Sequence, residues 1–483
     1  MEVEINGKKF EVKPHQTILD NQKSEPYLDK NDVAITRDES KCIGCSLCRV
    51  SCLENNNLGI PTPQNVDGCI YFRPDGKLEF EDSKCTRCGQ CILSCPTGAL
   101  SEREYIEEVR RDLVNPNKIV VAQVAPSVRV SLAESFGMIP GSNLEGEIVA
   151  GLKKLGFDYV FDVNLGADFT TFEEAFDLMD RLKEKETPMF TSCCPARVKF
   201  IEDFHPEFIN NITTVRSPQE CLAALIKSYF AKKKNIDPKK ISVVSIMPCV
   251  AKKFEMYRSG EDKTGTRDVD WVLTTREFIK MLKSNKIDLA KIEPVNFDQD
   301  LGVSSGAGAI YGASGGVMES AVRTFAYIVT GQKIGKIDYV SSEIPRQAKL
   351  DYEELRGMEG IKKATIKVGK LELKIAVTSG LANAEKIMDE IKKGEVYHYV
   401  EVMACPGGCV GGGGQPKPAT KEIIDTRRKA LYEIDKDRPI RTAHENPILE
   451  EVYKEFLGCP GSKTAKKYLH TNYDKKQARI CKI

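Results

Sequence analysis

Cys42, Cys45, Cys48 and Cys52 stand in KCIGCSLCRVSC, and Cys85, Cys88, Cys91 and Cys95 stand in KCTRCGQCILSCP. Both runs follow C-x₂-C-x₂-C-x₃-C, and no other feature of the 483-residue chain limits its folding as strongly. Three closely spaced thiolates wrap one corner of a cubane, while the fourth cysteine of such a run, here followed by Pro96 in the second copy, reaches the other cluster. The spacing predicts Cys42, Cys45, Cys48 and Cys95 on one [4Fe–4S] cluster, and Cys85, Cys88, Cys91 and Cys52 on a second. The competing reading is a pair of four-cysteine zinc knuckles, but zinc ribbons usually join two separate C-x₂-C units.

The chain has seventeen cysteines and only five histidines, none of them at ligand spacing beside a cysteine group. Thiolate-only sites favour iron–sulfur clusters or Cys₄ zinc. Grouped cysteines in a reducing compartment indicate metal ligation rather than disulfides. The compartment expected is the cytoplasm, because MEVEINGKKFEV lacks the apolar core of a signal peptide. No apolar stretch approaches the roughly 18 residues of a membrane helix. Apolar residues make up 41% and charged residues 29%, and 71 basic against 70 acidic side chains leave a net charge of +1. Such a balance provides no electrostatic footprint for nucleic acid or an anionic membrane.

From about residue 118 the pattern changes. The apolar runs KIVVAQVAP, FDYVFDVN, PMFTSCCP, ISVVSIMPC, LKIAVTSG and YHYVEVMAC alternate with helix-like stretches such as TFEEAFDLMDRLKEK and SPQECLAALIKSYFAKKK. Alternation of this kind predicts α/β layers with mainly parallel sheets, whose ligands bind beyond the carboxyl ends of the strands. Cys193 and Cys194, Cys249, and Cys405 and Cys409 each follow such a run, so residues more than 200 apart can converge on one buried site. A third cubane there needs four of these five cysteines. Cys69, Cys221, Cys459 and Cys481 are isolated in sequence and read as buried small apolar groups or surface thiols.

The two tight runs resemble a bacterial two-cluster ferredoxin. TSCCPARVKF (191–200), MPCVAKKFE (247–255) and EVMACPGGCVGGGGQP (401–416), taken in order, resemble the three signature segments of the [FeFe]-hydrogenases. The likeness extends over about residues 37–483 and includes AHENPILEEVYKEF near the C-terminus. It implies an α+β ferredoxin domain followed by a two-lobed α/β catalytic domain with the cofactor between the lobes. That cofactor, the H-cluster, is a [4Fe–4S] cubane joined through one cysteine sulfur to a diiron unit carrying carbon monoxide, cyanide and an azadithiolate bridge. By this resemblance Cys194, Cys249, Cys405 and Cys409 hold the cubane, Cys409 bridges to the diiron unit, and Cys193 is the terminal proton donor. Lys252 pairs with one cyanide, Pro126 and Ser127 cradle the other, and Gln219, Met247 and Met403 pack around carbon monoxide. The glycines after Cys405 let the backbone turn with positive φ and approach a bulky cluster. A phosphate loop is excluded because no Gly-Lys-Ser/Thr follows.

The implied proton route runs through Glu174 and Asp177, three apart on one helix face, then Thr213 and Glu255. Asp177 stands where glutamate is usual and Thr213 where serine is usual. The first motif usually reads TSCCP-x-Trp, and here that position is Arg197. A guanidinium aimed at an anionic cubane raises its reduction potential and predicts a bias toward dihydrogen oxidation, whereas one aimed at solvent is screened.

Four segments are expected. Residues 1–36 read as a hairpin and a short helix start that resemble the opening of a plant-type [2Fe–2S] ferredoxin domain without its cysteines. Residues 37–103 form the two-[4Fe–4S] ferredoxin domain, 104–418 the H-cluster domain, and 419–483 a small-subunit-like segment. The implied activity is reversible oxidation of dihydrogen to protons and electrons, exchanged with ferredoxin or a similar soluble carrier, and dedicated maturation proteins must supply the diiron unit. Two other readings compete. A hydrogen sensor usually carries an appended signalling domain, which is not recognisable here. An iron–sulfur assembly factor has no need of Cys193, Lys252 and a complete third motif.

Overall fold

The computed structural model describes residues 2–5, 8–11, 27–258, 263–331, 356–358 and 360–473. Strands Glu2–Ile5 (β1) and Lys8–Glu11 (β2) pair antiparallel with Ile5 opposite Lys8, which is the expected hairpin. The helix start expected after it lies outside the described residues, as does Cys481.

Both cysteine runs belong to one small unit. Leu28–Asp29 (β3), Ile35–Asp38 (β4) and, after the second run, Leu100–Glu102 (β7) make an antiparallel sheet in the order β3-β4-β7. The β4–β7 pairing brings the chain entering the first run beside the chain leaving the second. Between them, Pro61–Val66 (β5) and Cys69–Pro74 (β6) form a hairpin. Its turn residues Asp67 and Gly68 both have positive φ, 52° and 82°, as a two-residue turn matching strand twist requires. The helices Leu47–Asn56 and Gln90–Ser94 carry Cys48, Cys52 and Cys91, and Cys95 caps the second.

The rest of the chain builds two four-stranded sheets. The first contains Ile119–Val124 (β8), Tyr159–Asp162 (β9), Ile241–Met247 (β11) and Trp271–Thr274 (β12), all parallel, in the order β12-β11-β8-β9. The second contains Met189–Phe190 (β10), Ile361–Val368 (β13), Leu371–Ser379 (β14) and Tyr399–Met403 (β15) in the order β10-β15-β14-β13, antiparallel only at the β13 edge. Every residue of β11, ISVVSIM, is buried, as expected of an interior parallel strand. Each apolar run singled out above contains one of these strands. The sequence reading did not anticipate β12, which is four residues long, or β13, whose Lys362, Lys363 and Lys367 interrupt its apolar pattern. Among the described residues no helix is long and apolar enough to cross a membrane.

Helix Val163–Glu184 contains the predicted segment TFEEAFDLMDRLKEK except its last residue, Lys185, and Asp162 caps it by accepting the Asn164 N–H. The SPQ segment is helical over Pro218–Leu225 and continues through a π turn, Ile226–Phe230, into Ala231–Lys234.

The ferredoxin-like unit meets the third motif backbone to backbone. A Cβ at Gly413 would lie 2.2 Å from the Cys88 carbonyl oxygen and 2.6 Å from the Gly89 Cα. Neither group is the flexible end of a side chain, so the contact cannot relax cheaply. Gly413→Ala is expected to lower unfolding stability by ~1–3 kcal/mol, measured by denaturant titration, through overpacking at this junction.

Candidate metal and catalytic centre

Four loops leaving parallel strands reach a common cavity. β8 leads to Pro126 and Ser127, β10 to Cys193 and Cys194, β11 to Cys249, and β15 to Cys405 and Cys409. All five cysteines line the cavity, together with Gln219, Met247, Lys252 and Met403. Every residue the sequence reading placed around the cofactor is therefore on its wall. The cavity also has Tyr311 on its wall, which the sequence reading missed because no motif marks it.

Two smaller cavities separate the ferredoxin cysteines as the spacing predicts. One is lined by Cys42, Cys45, Cys48 and Cys95, and the other by Cys52, Cys85, Cys88 and Cys91. The fourth cysteine of each run has crossed to the other group. Among the described residues no three His, Cys, Asp or Glu side chains converge as ligands of a single ion. The thiols ring two volumes, which fits cubanes. Asn56 Nδ2 donates to Cys88 Sγ at 3.2 Å, and Cys88 shares a buried apolar cluster with Cys194.

The large cavity suits an anionic inorganic group. Burial pushes the Cys409 thiol up to about 12 and holds Cys249 and Cys405 above the usual thiol range, with neighbouring cysteines adding to the shift. Ionising such a set requires a metal to take the thiolates. Ser127 Oγ and Gln219 Oε1 are buried on or beside the wall without a protein partner. Polar atoms in this position normally find a partner, so both are suited to a bound group that accepts or donates hydrogen bonds. The glycine-rich loop does turn with positive φ, 98° at Gly408. It also packs closely against other backbone. A Cβ at Gly408 would lie 2.5 Å from the Ser314 amide nitrogen, and Gly413 meets Cys88 as described above. These glycines seat the loop against other backbone segments.

The sequence-predicted proton-route residues fall into two groups. Thr213 Oγ1 donates to Asp177 Oδ2 at 2.6 Å, and Arg181 Nε donates to Asp177 Oδ1 at 3.0 Å. Arg181, four residues after Asp177, was readable as an i,i+4 partner. Glu174 lies one turn earlier on the same helix and accepts the Tyr399 hydroxyl at 2.8 Å, while its Oε1 is buried without a partner. Burial raises Glu174 to about 7, against the pull of the Tyr399 hydroxyl and the Ser192 amide. Cys193 is pushed well above the usual thiol range by burial first and by Glu174 second.

Glu255 belongs to the other group. Its Oε2 accepts from Lys252 Nζ at 2.6 Å, Ser217 Oγ at 2.9 Å and Gln219 Nε2 at 3.1 Å. Burial opposes the Lys252 charge, but Glu255 holds that lysine above its ordinary range. The acid thus orients Lys252 and Gln219 at the cavity wall.

Arg197 does not face solvent. It is completely buried on helix Pro195–Phe204, and its Nε, Nη1 and Nη2 all lack hydrogen-bond partners. Burial lowers its pKa, and Cys193, Cys194, Tyr473 and Glu174 act in the opposite sense. An uncompensated buried charge costs on the order of 3–5 kcal/mol. Of the leftover cysteines, Cys221 is fully buried, Cys69 is partly buried and Cys459 is exposed.

Three thiol-ringed cavities in series, the largest at the strand ends of two α/β sheets, define an iron–sulfur redox protein. Family models match along nearly the whole described chain: a 4Fe-4S dicluster domain at 41–99, the C-terminal domain of the iron-only hydrogenase large subunit at 118–413, and the iron hydrogenase small subunit at 421–476. The chain belongs to the iron-only, or [FeFe]-, hydrogenase family. The NADP-reducing hydrogenase subunit HndD of Solidesulfovibrio fructosivorans is 40% identical over 99% of this chain and 80% of its own length. Iron hydrogenase 1 of Clostridium pasteurianum is 38% identical over 97% and 80%. The cytosolic iron-sulfur assembly component 3 of Rattus norvegicus is 30% identical over 86% and 90%. Among solved structures, [FeFe]-hydrogenase HydA1 from Chlamydomonas reinhardtii superposes with a TM-score of 0.66 at 38% identity, covering 77% of this chain and 99% of that one.

A carboxyl group whose folded-state pKa is raised favours folding in its protonated form. The contribution of Glu174 to stability therefore falls as pH rises from the ordinary value of 4.5 through about 7. Glu174→Gln is expected to flatten the pH dependence of unfolding free energy across that window, measured by denaturant titration at a series of pH values.

Proposed function

We propose that this chain is a cytoplasmic [FeFe]-hydrogenase that interconverts dihydrogen with protons and electrons. The observation that carries the reading is the single cavity lined by Cys193, Cys194, Cys249, Cys405 and Cys409 together with Ser127, Gln219 and Lys252. Cys194, Cys249, Cys405 and Cys409 would hold an H-cluster between the two sheets. When bound, that group supplies heterolytic dihydrogen chemistry and stores electrons. Ser127, Gln219 and Lys252 would grip its polar ligands, with Glu255 keeping Lys252 charged and aimed, and Pro126, Met247 and Met403 would pack its apolar side.

Cys193 would give and take the proton at the cavity wall. Glu174, pushed up to about 7, is suited to exchange protons with it near neutral pH. Thr213 and Asp177 continue the route outward, joined by the 2.6 Å hydrogen bond between them. Arg181 fixes the Asp177 carboxylate, which offsets the shorter reach of aspartate at this position. Glu255 serves the same reaction as a positioning residue.

Electrons would pass by the cluster of Cys52, Cys85, Cys88 and Cys91 to that of Cys42, Cys45, Cys48 and Cys95. Cys45 is exposed, and Ile43 beside it is 67% exposed, which leaves the outer cluster accessible to a ferredoxin-like carrier. Transfer to a nicotinamide, named for the HndD relative, would need further subunits, because nothing in this sequence resembles a nicotinamide or flavin site.

The test is film electrochemistry of the matured protein under dihydrogen. Catalytic current is expected, and its oxidative-to-reductive ratio gives the bias. Cys193→Ala should reduce current by about 10²-fold or more with unchanged iron content, the scale of a lost proton-transfer group. Thr213→Val should cause a smaller loss in the same assay. Infrared bands of the cofactor without current would favour the sensor reading, and a cavity that takes a cubane but no diiron unit would favour an assembly role like that named for the Rattus norvegicus relative.

A further inference from the structure

Two cations lie beside the thiols of the large cavity, and they are balanced differently. Lys252 is paired with Glu255 at 2.6 Å. Arg197 is completely buried, and all three of its guanidinium nitrogens lack a hydrogen-bond partner. Arginine cannot shed its proton to escape this cost. The groups whose fields favour its charge are, in order, Cys193, Cys194, Tyr473 and Glu174. Two of these are the thiols at the cavity edge, and Cys194 interacts in turn with Cys249, Cys405 and Cys409. The helix carrying Arg197 has Cys194 as its N-cap residue, so the guanidinium and that thiol are fixed relative to each other by less than one helical turn.

A neutral residue would satisfy packing here, and a surface arginine would be screened. A buried arginine without a partner is instead matched to an anionic group that its surroundings accept. We propose that Arg197 is the fixed counter-charge of the [4Fe–4S] cluster held by Cys194, Cys249, Cys405 and Cys409, and that it raises this cluster's reduction potential relative to the two clusters of the ferredoxin-like unit. The inference rests on the cluster assignment made under Proposed function. The step it affects is the uptake of one electron by the oxidised cluster, with no bond made or broken. Reduction adds one negative charge, and a fixed positive charge in a low-dielectric surrounding stabilises the more negative state. The position is suited to act on the inner cluster, because Cys193 and Cys194 are the ionisable groups acting most on Arg197 and Cys194 is the N-cap of its helix.

The experiment uses the full-length chain loaded with its [4Fe–4S] clusters and titrated with dithionite through redox mediators, each cluster followed by electron paramagnetic resonance. The signal of the inner cluster is the one that disappears in Cys249→Ala. Arg197→Met should shift that cluster's reduced-to-oxidised ratio at least about tenfold toward the oxidised form at the wild-type midpoint, a drop of about 59 mV for a one-electron couple. The other two midpoints should stay in place. Arg197→Lys, which keeps the charge, should restore most of the shift. If Arg197→Met does not fold, Arg197→Gln gives the same reading with a polar side chain. An inner-cluster midpoint unchanged in a folded, neutral variant overturns the proposal, as does an equal shift at all three clusters. A wild-type chain that takes up iron for only two clusters removes the cluster assignment as well, so the two failures are told apart by iron content.

Discussion

Everything in the larger part of this protein depends on four thiols from three distant segments meeting around one buried volume. No short stretch of chain can supply that ring. Cys194, Cys249, Cys405 and Cys409 come from loops after β10, β11 and β15, and only the parallel packing of those strands brings their carboxyl ends to one place. Burial makes the ring costly when the thiols are protonated neighbours, because each resists ionisation beside the others. The same burial makes the ring a strong host for a cationic iron–sulfur core, which takes the thiolates and leaves a net negative charge for the surroundings to balance. Stability, metal binding and redox chemistry are thus aspects of one constraint.

The constraint extends outward through backbone contacts. The loop carrying Cys405 and Cys409 runs against the segment holding Cys88 and Gly89, with no room for a side chain at Gly413. Cys88 in turn shares an apolar cluster with Cys194. The joint between the two parts of the protein therefore brings a cysteine of the second ferredoxin run close to a cysteine of the large cavity. The close approach of the two backbones accounts for the glycine at position 413. Beside the cluster-facing role expected of them, the glycines of this loop also make room for protein backbone.

Charge around the cavity divides along similar lines. Glu255 accepts hydrogen bonds from Lys252, Ser217 and Gln219 and so holds a cation at the wall. Glu174, Asp177, Thr213 and Arg181 form a second group along helix Val163–Glu184 and the segment beside it. Glu255 and Glu174, both expected on one proton route, accept from donors in these two different groups. Which oxygen faces which donor is a matter of side-chain packing across elements, and no local pattern records it. Tyr399 and Tyr311 escaped notice for the same reason: each meets the helix across the interior from a distant part of the chain.

The sequence by itself determined the ligand chemistry. A C-x₂-C-x₂-C-x₃-C run holds three thiolates within reach of one corner, so local spacing predicts two cubanes and the exchange of Cys52 and Cys95 between the two thiol groups, which the two smaller cavities match. It also determined the strand–helix alternation that places Cys193, Cys194, Cys249, Cys405 and Cys409 at strand ends, since periodicity is a property of neighbouring residues. Only the tertiary structure decided that those ends face one cavity, that Glu255 serves Lys252, and that Arg197 turns inward and not to solvent. Direction and partnership arise from contacts between residues tens to hundreds of positions apart. The free energy of such contacts depends on burial and distance in three dimensions, quantities that a linear pattern of residue types does not contain.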